Sequence, residues 1–140
     1  MNIVITLPPY LVKKILSGEK KIEFRKNYPR NFNPTEDAIF MLEKGTRHIV
    51  GFFTISKFIC KFNPLEIWEE YKEQLGVKKI WFQMYAPTYR PYWIWQIDKT
   101  FKFDKPIDRA FFDIEKNPQS YSYTTMLVDP TFYEQETAKQ

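Results

Sequence analysis

The chain has 140 residues, a formal net charge of +4, 44% hydrophobic residues and 19% aromatic residues. That length supports one domain with its own core, and no apolar run approaches the roughly 20 residues a membrane-crossing helix needs. Cys60 is the single cysteine, which rules out an intrachain disulfide and points to a reducing setting. The opening Met-Asn-Ile-Val-Ile-Thr lacks the basic segment and long apolar core of a signal peptide, so a cytoplasmic location is expected.

In chain order, Asn2 to Leu7 alternates Ile3, Ile5 and Leu7 and reads as a strand. Pro8 and Pro9 suit the first turn of a helix, which Leu11, Val12, Ile15 and Leu16 continue with one apolar face. Gly18 stands where a helix C-cap wants a positive φ. Lys20 to Lys26 reads as a second strand, followed by a proline-containing loop to Thr35. Asp37 to Glu43 and His48 to Cys60 read as strands joined by a hairpin turn at Lys44–Arg47, with Gly51 as a bulge or bend.

Asn63 is an N-cap with Pro64 at the first helical position, and this helix is expected to turn Leu65, Trp68 and Tyr71 inward before it ends at Leu75-Gly76. Val77 to Ala86 reads as another helix with Ile80, Trp81 and Met84 on one face. Pro91 to Phe103 is strand-rich, and Pro118-Gln119-Ser120 is a turn before a short last strand. Five to six strands, two or three helices and short links predict an α+β, mainly β fold: a small mixed or antiparallel β-barrel with flanking helices. Residues 1–127 are expected to form the domain and 128–140 a weakly ordered tail.

Charge is unevenly spread. From Lys13 to Arg30 there are seven cations (Lys13, Lys14, Lys20, Lys21, Arg25, Lys26, Arg30) against Glu19 and Glu23. A local basic patch on a nearly balanced body is the footprint of phosphate recognition; a solvated helix face gives the same pattern. Within the patch, Glu23 and Arg25 share a strand face with Lys21, because alternate strand residues point the same way. Lys20 sits at the helix–strand junction. A carboxylate accepts hydrogen bonds from a base edge or an exocyclic amine, and arginine forks onto phosphate. A Glu23–Arg25 ion pair is the structural alternative, and both readings hold together if the pair orients a ligand.

Lys13, Lys14, Lys26 and Arg30 are candidates for a phosphate-facing rim. Tyr28, Tyr92, Trp93, Trp95 and Tyr121 are candidates for stacking on a base. In a chain so rich in aromatics, core packing is the competing role. Trp93 and Trp95 share a face, so they are both core or both line the cleft. Gln119 and Ser120 at the closing turn are candidate donors to a ligand. A zinc site needs about four ligands, and His48 and Cys60 are the only residues of their kinds; no metal and no cofactor is expected.

The segment Gly18 to Arg25 fits the pattern Gly-x-Lys-x-x-Glu-x-Arg and so resembles the signature of the ASCH domain, a branch of the PUA-like superfamily. Leu11 to Arg30, Ile49 to Ile55, PLEIWEE from Pro64 to Glu70, YWIWQIDKTFKFDKPID from Tyr92 to Asp108 and PQSYSY from Pro118 to Tyr123 are similar to that family in the same order. The resemblance implies a small β-barrel with a cleft beside the motif strand. It also implies RNA or nucleotide binding, with relatives implicated in RNA modification and transcriptional regulation. Lys20, Glu23 and Arg25 are then the expected cleft residues.

One branch of that family comprises amidohydrolases acting on acetylated cytidine, with a threonine nucleophile three residues after the lysine. Here that position is Glu23, and a carboxylate does not replace an alkoxide in that chemistry. Two alternatives to binding stay open. One is metal-independent hydrolysis of modified nucleosides or RNA, with Glu23 as general base and Lys20 or Arg25 holding an oxyanion. The other is a small regulatory, phage-type module with a protein partner.

Overall fold

One mixed sheet of six strands organises the molecule; the computed structural model describes residues 1–126. The strands are β1 (Asn2–Leu7), β2 (Ile22–Arg25), β3 (Ile39–Glu43), β4 (His48–Lys61), β5 (Tyr92–Asp108) and β6 (Tyr121–Thr124), in the order β2-β5-β4-β3-β1-β6. Among the described residues the β1–β3 pair alone is parallel and the other ladders are antiparallel. Helix α1 (Pro9–Ser17) crosses between β1 and β2. Helices α2 (Pro64–Leu75) and α3 (Lys79–Tyr85) lie between β4 and β5, and a 3-10 turn at Arg109–Phe112 follows β5. This is the mainly β, curled half-barrel with flanking helices that the sequence predicts. The tail expected from 128 onward lies outside the described residues.

β4 and β5 are long strands, which makes the sheet curl rather than lie flat. Their ladder shifts register between Ile49 and Gly51, between Phe53 and Ile55, and between Ile55 and Lys57. Each irregularity adds local twist. At Gly51 the two backbones approach closely: a Cβ there would run into the Phe101 carbonyl, so only glycine lets the two strands stay paired.

Both faces of the sheet are covered, and period-two alternation assigns the residues. Ile3, Ile5, Met41, Phe53 and Trp95 form one cluster under α1, which contributes Val12 and Ile15. Each fully buried aliphatic side chain there contributes about 1.5–3 kcal/mol. On the opposite face, Val4, Phe40, Phe52, Phe101 and Phe112 pack beneath the 3-10 turn. A third cluster joins Ile22 and Phe24 of β2 to Ile67, Tyr71 and Leu75 of α2 and to Phe82 of α3.

The helix termini follow the sequence signals. Asn63 Oδ1 accepts from the Leu65 N–H at 3.0 Å, and Gly18 ends α1. The inward face of α2 differs from expectation at one residue. Leu65 is 72% exposed, because Ile67, Tyr71 and Leu75 form the buried stripe of α2. Ile80, Trp81 and Met84 do share a face of α3, but it points to solvent, and Phe82 is the residue that anchors that helix.

Candidate functional site

Among the described residues the motif strand β2 is an edge of the sheet, paired with β5 alone. Edge strands leave backbone N–H groups to be satisfied by other means. Here side chains do it. Glu23 folds back so that Oε1 accepts from the Phe24 N–H at 3.1 Å, and the Tyr85 hydroxyl accepts from the Lys26 N–H at 3.2 Å. The carboxylate of the motif is therefore fixed beside its own strand, with Ile22 and Phe24 turned to the opposite face and buried.

Three charged side chains meet at this edge. Lys20 Nζ lies 3.7 Å from Glu23 Oε1, and Arg25 Nη2 lies 3.3 Å from Glu23 Oε2. Lys20 is 2% exposed and Glu23 5%. Burial pushes the Glu23 carboxyl up, but Arg25, Lys20 and the Phe24 N–H together outweigh it and hold the group below the usual glutamate value. It is ionised at neutral pH. Burial also pushes the Lys20 ammonium down, against the upward pull of Glu23, with Arg25 and Lys14 adding to the fall.

Lys20 reaches this position because α2 ends on it. The end of α1 and the segment after it supply partners for the carbonyls at the end of α2, which a helix cannot satisfy itself. The Lys21 N–H donates to Gln74 O at 2.9 Å, Lys20 Nζ to Leu75 O at 2.6 Å, and Lys14 Nζ to Gly76 O at 3.0 Å. Cations at this end also oppose the negative pole of the helix dipole. Gly76 sits at φ +70°, and a Cβ there would lie 3.0 Å from Lys20 Cβ.

Arg25 spans from one edge of the sheet toward the other. Its Nη1 donates to Ser120 O at 3.2 Å, just before β6, and its guanidinium lies 5.6 Å from the Trp95 ring centroid. Lys20 and Glu23 open into a cavity of about 430 Å³ on the free side of β2. Leu11 of α1 and Trp81, Met84 and Tyr85 of α3 form its apolar walls.

The other sequence-predicted residues fall into separate places. Trp95 is fully buried, and its Nε1 donates to Asn27 O at 3.1 Å. Tyr92 is equally buried, with its hydroxyl on Thr88 O. Trp93 and Tyr28 pack against each other, tilted by 42° with centroids 4.1 Å apart, partly buried against the cluster under α1. Tyr121 is partly buried against the same cluster. Gln119 is exposed, and Ser120 contributes its carbonyl to Arg25.

Among the rim candidates, Lys13, Lys26 and Arg30 are exposed, as is Lys21 of the motif. Lys26 sits over the Tyr85 ring at 4.8 Å, and Arg30 over Tyr28 at 5.6 Å. Lys14 is spent on the α2 terminus. The cavity wall on α3 was missed in the sequence. Its signal was present as the apolar stripe Ile80, Trp81 and Met84, but periodicity does not say which way a stripe points. Among the described residues no group of three or more His, Cys, Asp or Glu is placed to hold a metal ion, and no helix is long and apolar enough to cross a membrane.

Solved structures share this half-barrel fold. The chain superimposes on a serine-to-alanine mutant of the ASCH protein from Zymomonas mobilis with a TM-score of 0.75 at 16% identity, covering 99% of this chain and 95% of that one. The unmutated ASCH structure from the same organism gives a TM-score of 0.72 at 17% identity, covering 98% and 94%. The N-terminal domain of McrB from Staphylothermus marinus gives 0.50 at 11% identity, covering 99% and 94%. No family model matches the chain, and no curated protein matches its sequence. At these identities the likeness establishes the fold: the chain has the fold of an ASCH domain over essentially its whole length.

Proposed function

We propose that this chain is an ASCH-type, PUA-like nucleic-acid-binding module that recognises RNA or a nucleotide at the β2 edge. The observation that carries the reading is the ionised, buried Glu23, held between Lys20 and Arg25 and open to a cavity. A carboxylate oxygen pair accepts about four hydrogen bonds. Glu23 uses Oε1 on Phe24 and faces Lys20 with it, and uses Oε2 on Arg25, which leaves capacity for one ligand N–H. Exposed Lys13, Lys21, Lys26 and Arg30 around the motif supply sequence-independent attraction for a phosphate backbone.

The test is fluorescence anisotropy with a labelled single-stranded RNA of mixed sequence at two salt concentrations. Wild type binds, and its affinity falls as salt rises. Glu23→Gln, which keeps the side-chain shape, binds about tenfold more weakly, the loss of one hydrogen bond to a charged group. No binding by wild type, or equal binding by a folded Glu23→Gln protein, sinks the reading.

A second reading is supported by one observation: burial lowers the Lys20 ammonium, and the amine stands 3.7 Å from Glu23 at the cavity floor. A lysine so placed is a candidate proton acceptor in metal-independent hydrolysis of a nucleoside or RNA. Turnover by wild type in the presence of chelator, lost in Lys20→Met, is its expected result; an inert wild type across nucleosides and RNA removes it.

A further inference from the structure

We infer that the cavity at the β2 edge takes one unpaired nucleobase, with its face on the α3 wall of Trp81, Met84 and Tyr85 and its edge on Glu23 and Lys20. The inference rests on the nucleic-acid reading and deepens it. It names the part of the polynucleotide that enters and the residues that hold it.

α3 supplies the first line of reasoning. Trp81 and Met84 are 60% and 66% exposed on a helix anchored by Phe82. Residues three and four apart are neighbours on a helix surface, so Trp81, Met84 and Tyr85 make one continuous apolar strip along the cavity. An exposed apolar strip beside a polar floor marks a binding site more often than chance.

The wall is fixed rather than loose. Tyr85 packs edge-on to Phe24 at 5.7 Å, and its hydroxyl accepts from the Lys26 N–H. The Lys26 ammonium over its ring puts a cation at the lip of the cavity, where a nucleotide's phosphate would lie.

The floor supplies the second line. Glu23 is an acceptor only, and the Lys20 ammonium is a donor only, with three N–H groups of which one is spent on Leu75 O and a second faces Glu23 Oε1 at 3.7 Å. The two lie side by side. Their complement is a donor next to an acceptor, which every nucleobase carries on a flat edge; a phosphate dianion lacks the donor, and a sugar, whose hydroxyls do both, lacks the flat face that the α3 wall would cover. In a duplex that edge is already paired and the faces are already stacked, so only an unpaired base fits. The cavity's volume of about 430 Å³ falls in the range of small-ligand sites. The aromatics singled out in the sequence are engaged elsewhere: Trp93 and Tyr28 pack against each other, Trp95 and Tyr92 are buried, and Tyr121 packs on the cluster under α1.

The test is titration of the full chain with nucleoside 5′-monophosphates, read by calorimetry and tryptophan emission, beside binding of single-stranded and duplex RNA. Uridine 5′-monophosphate quenches wild-type emission, and Trp81→Phe loses most of that quench. Trp81→Ala weakens binding about 5- to 150-fold, the range for loss of one base stack. 3-Methyluridine 5′-monophosphate, which lacks the N–H, binds more weakly than its parent. Tyr89→Ala, which removes an exposed aromatic outside this cavity, matches wild type. If Trp81→Ala binds single-stranded RNA as wild type does, the nucleic-acid reading stands and this inference falls. Equal affinity for duplex, or no response of wild type to any monophosphate, also overturns it.

Discussion

Two clusters of opposite charge in this molecule differ in what their geometry leaves unused. Arg47 and Asp108 form a surface fork, Nε to Oδ2 and Nη2 to Oδ1 both at 3.0 Å, and Asp108 Oδ1 also accepts from the Ala110 N–H. Their side chains are 55% and 37% exposed. The hydrogen bonds from Arg47 and then Ala110 bring the Asp108 carboxyl down to about 2. Here the preferred geometry is satisfied within the protein, and the pair ties the start of β4 to the end of β5. The Lys20–Glu23–Arg25 cluster is the reverse. It is buried, its contacts are longer, and it faces a cavity. A lowered carboxyl therefore marks a staple in one place and an unfinished hydrogen-bonding site in the other; the cavity distinguishes them.

Three measurements break or sharpen that contrast. The largest effect is expected from Glu23→Ala, which leaves two buried or half-buried cations without their partner and uncaps the Phe24 N–H. A loss of about 3–5 kcal/mol in chemical denaturation follows from breaking a buried pair. A loss no greater than that of Arg47→Ala would show the buried cluster to be as dispensable as the exposed one. Next comes Gly76→Ala. A left-handed conformation costs a non-glycine residue about 1–2 kcal/mol, and the added methyl presses on Lys20. The expected result is lower stability together with weaker RNA binding; stability lost with binding intact would separate Lys20 placement from recognition.

The smallest effect is electrostatic. Asp108 and Glu23 both titrate below their ordinary values of 3.8 and 4.5. Stability from a depressed carboxyl is present above the unfolded value and is lost as pH falls through the folded one. Acid unfolding should therefore contain two parts. The Asp108 part, lost as pH falls through about 2, is exposed and fades at about 1 M salt, where screening acts over about 3 Å. The Glu23 part is buried and persists. Arg47→Ala should remove only the salt-sensitive part. A salt-sensitive acid limb that survives in Arg47→Ala would place that sensitivity elsewhere.

Much of the fold was legible because its signals are local. Asn63-Pro64 sets a helix start through a side-chain cap two residues away, and Lys44–Arg47 closes a hairpin on the positive φ of Gly45. Ile3, Ile5, Ile22 and Phe24 declare their faces by alternation. The motif spacing likewise put Glu23 and Arg25 on one face and left Lys20 at the junction, since strand geometry requires it.

What the tertiary structure alone decided is which of these residues are spent and which are left to act. Lys14 is taken by Gly76, 62 positions away, and Arg25 by Ser120, 95 positions away; no local pattern encodes such partners. Trp95 went to the core while Trp81 went to the surface, although both lie in strongly aromatic stretches. The physical reason is that periodicity defines a face but not its direction. Direction depends on what the rest of the chain has already covered. At the β2 edge, Phe82 fills the space against the sheet, and the remaining face of α3 is left beside Glu23.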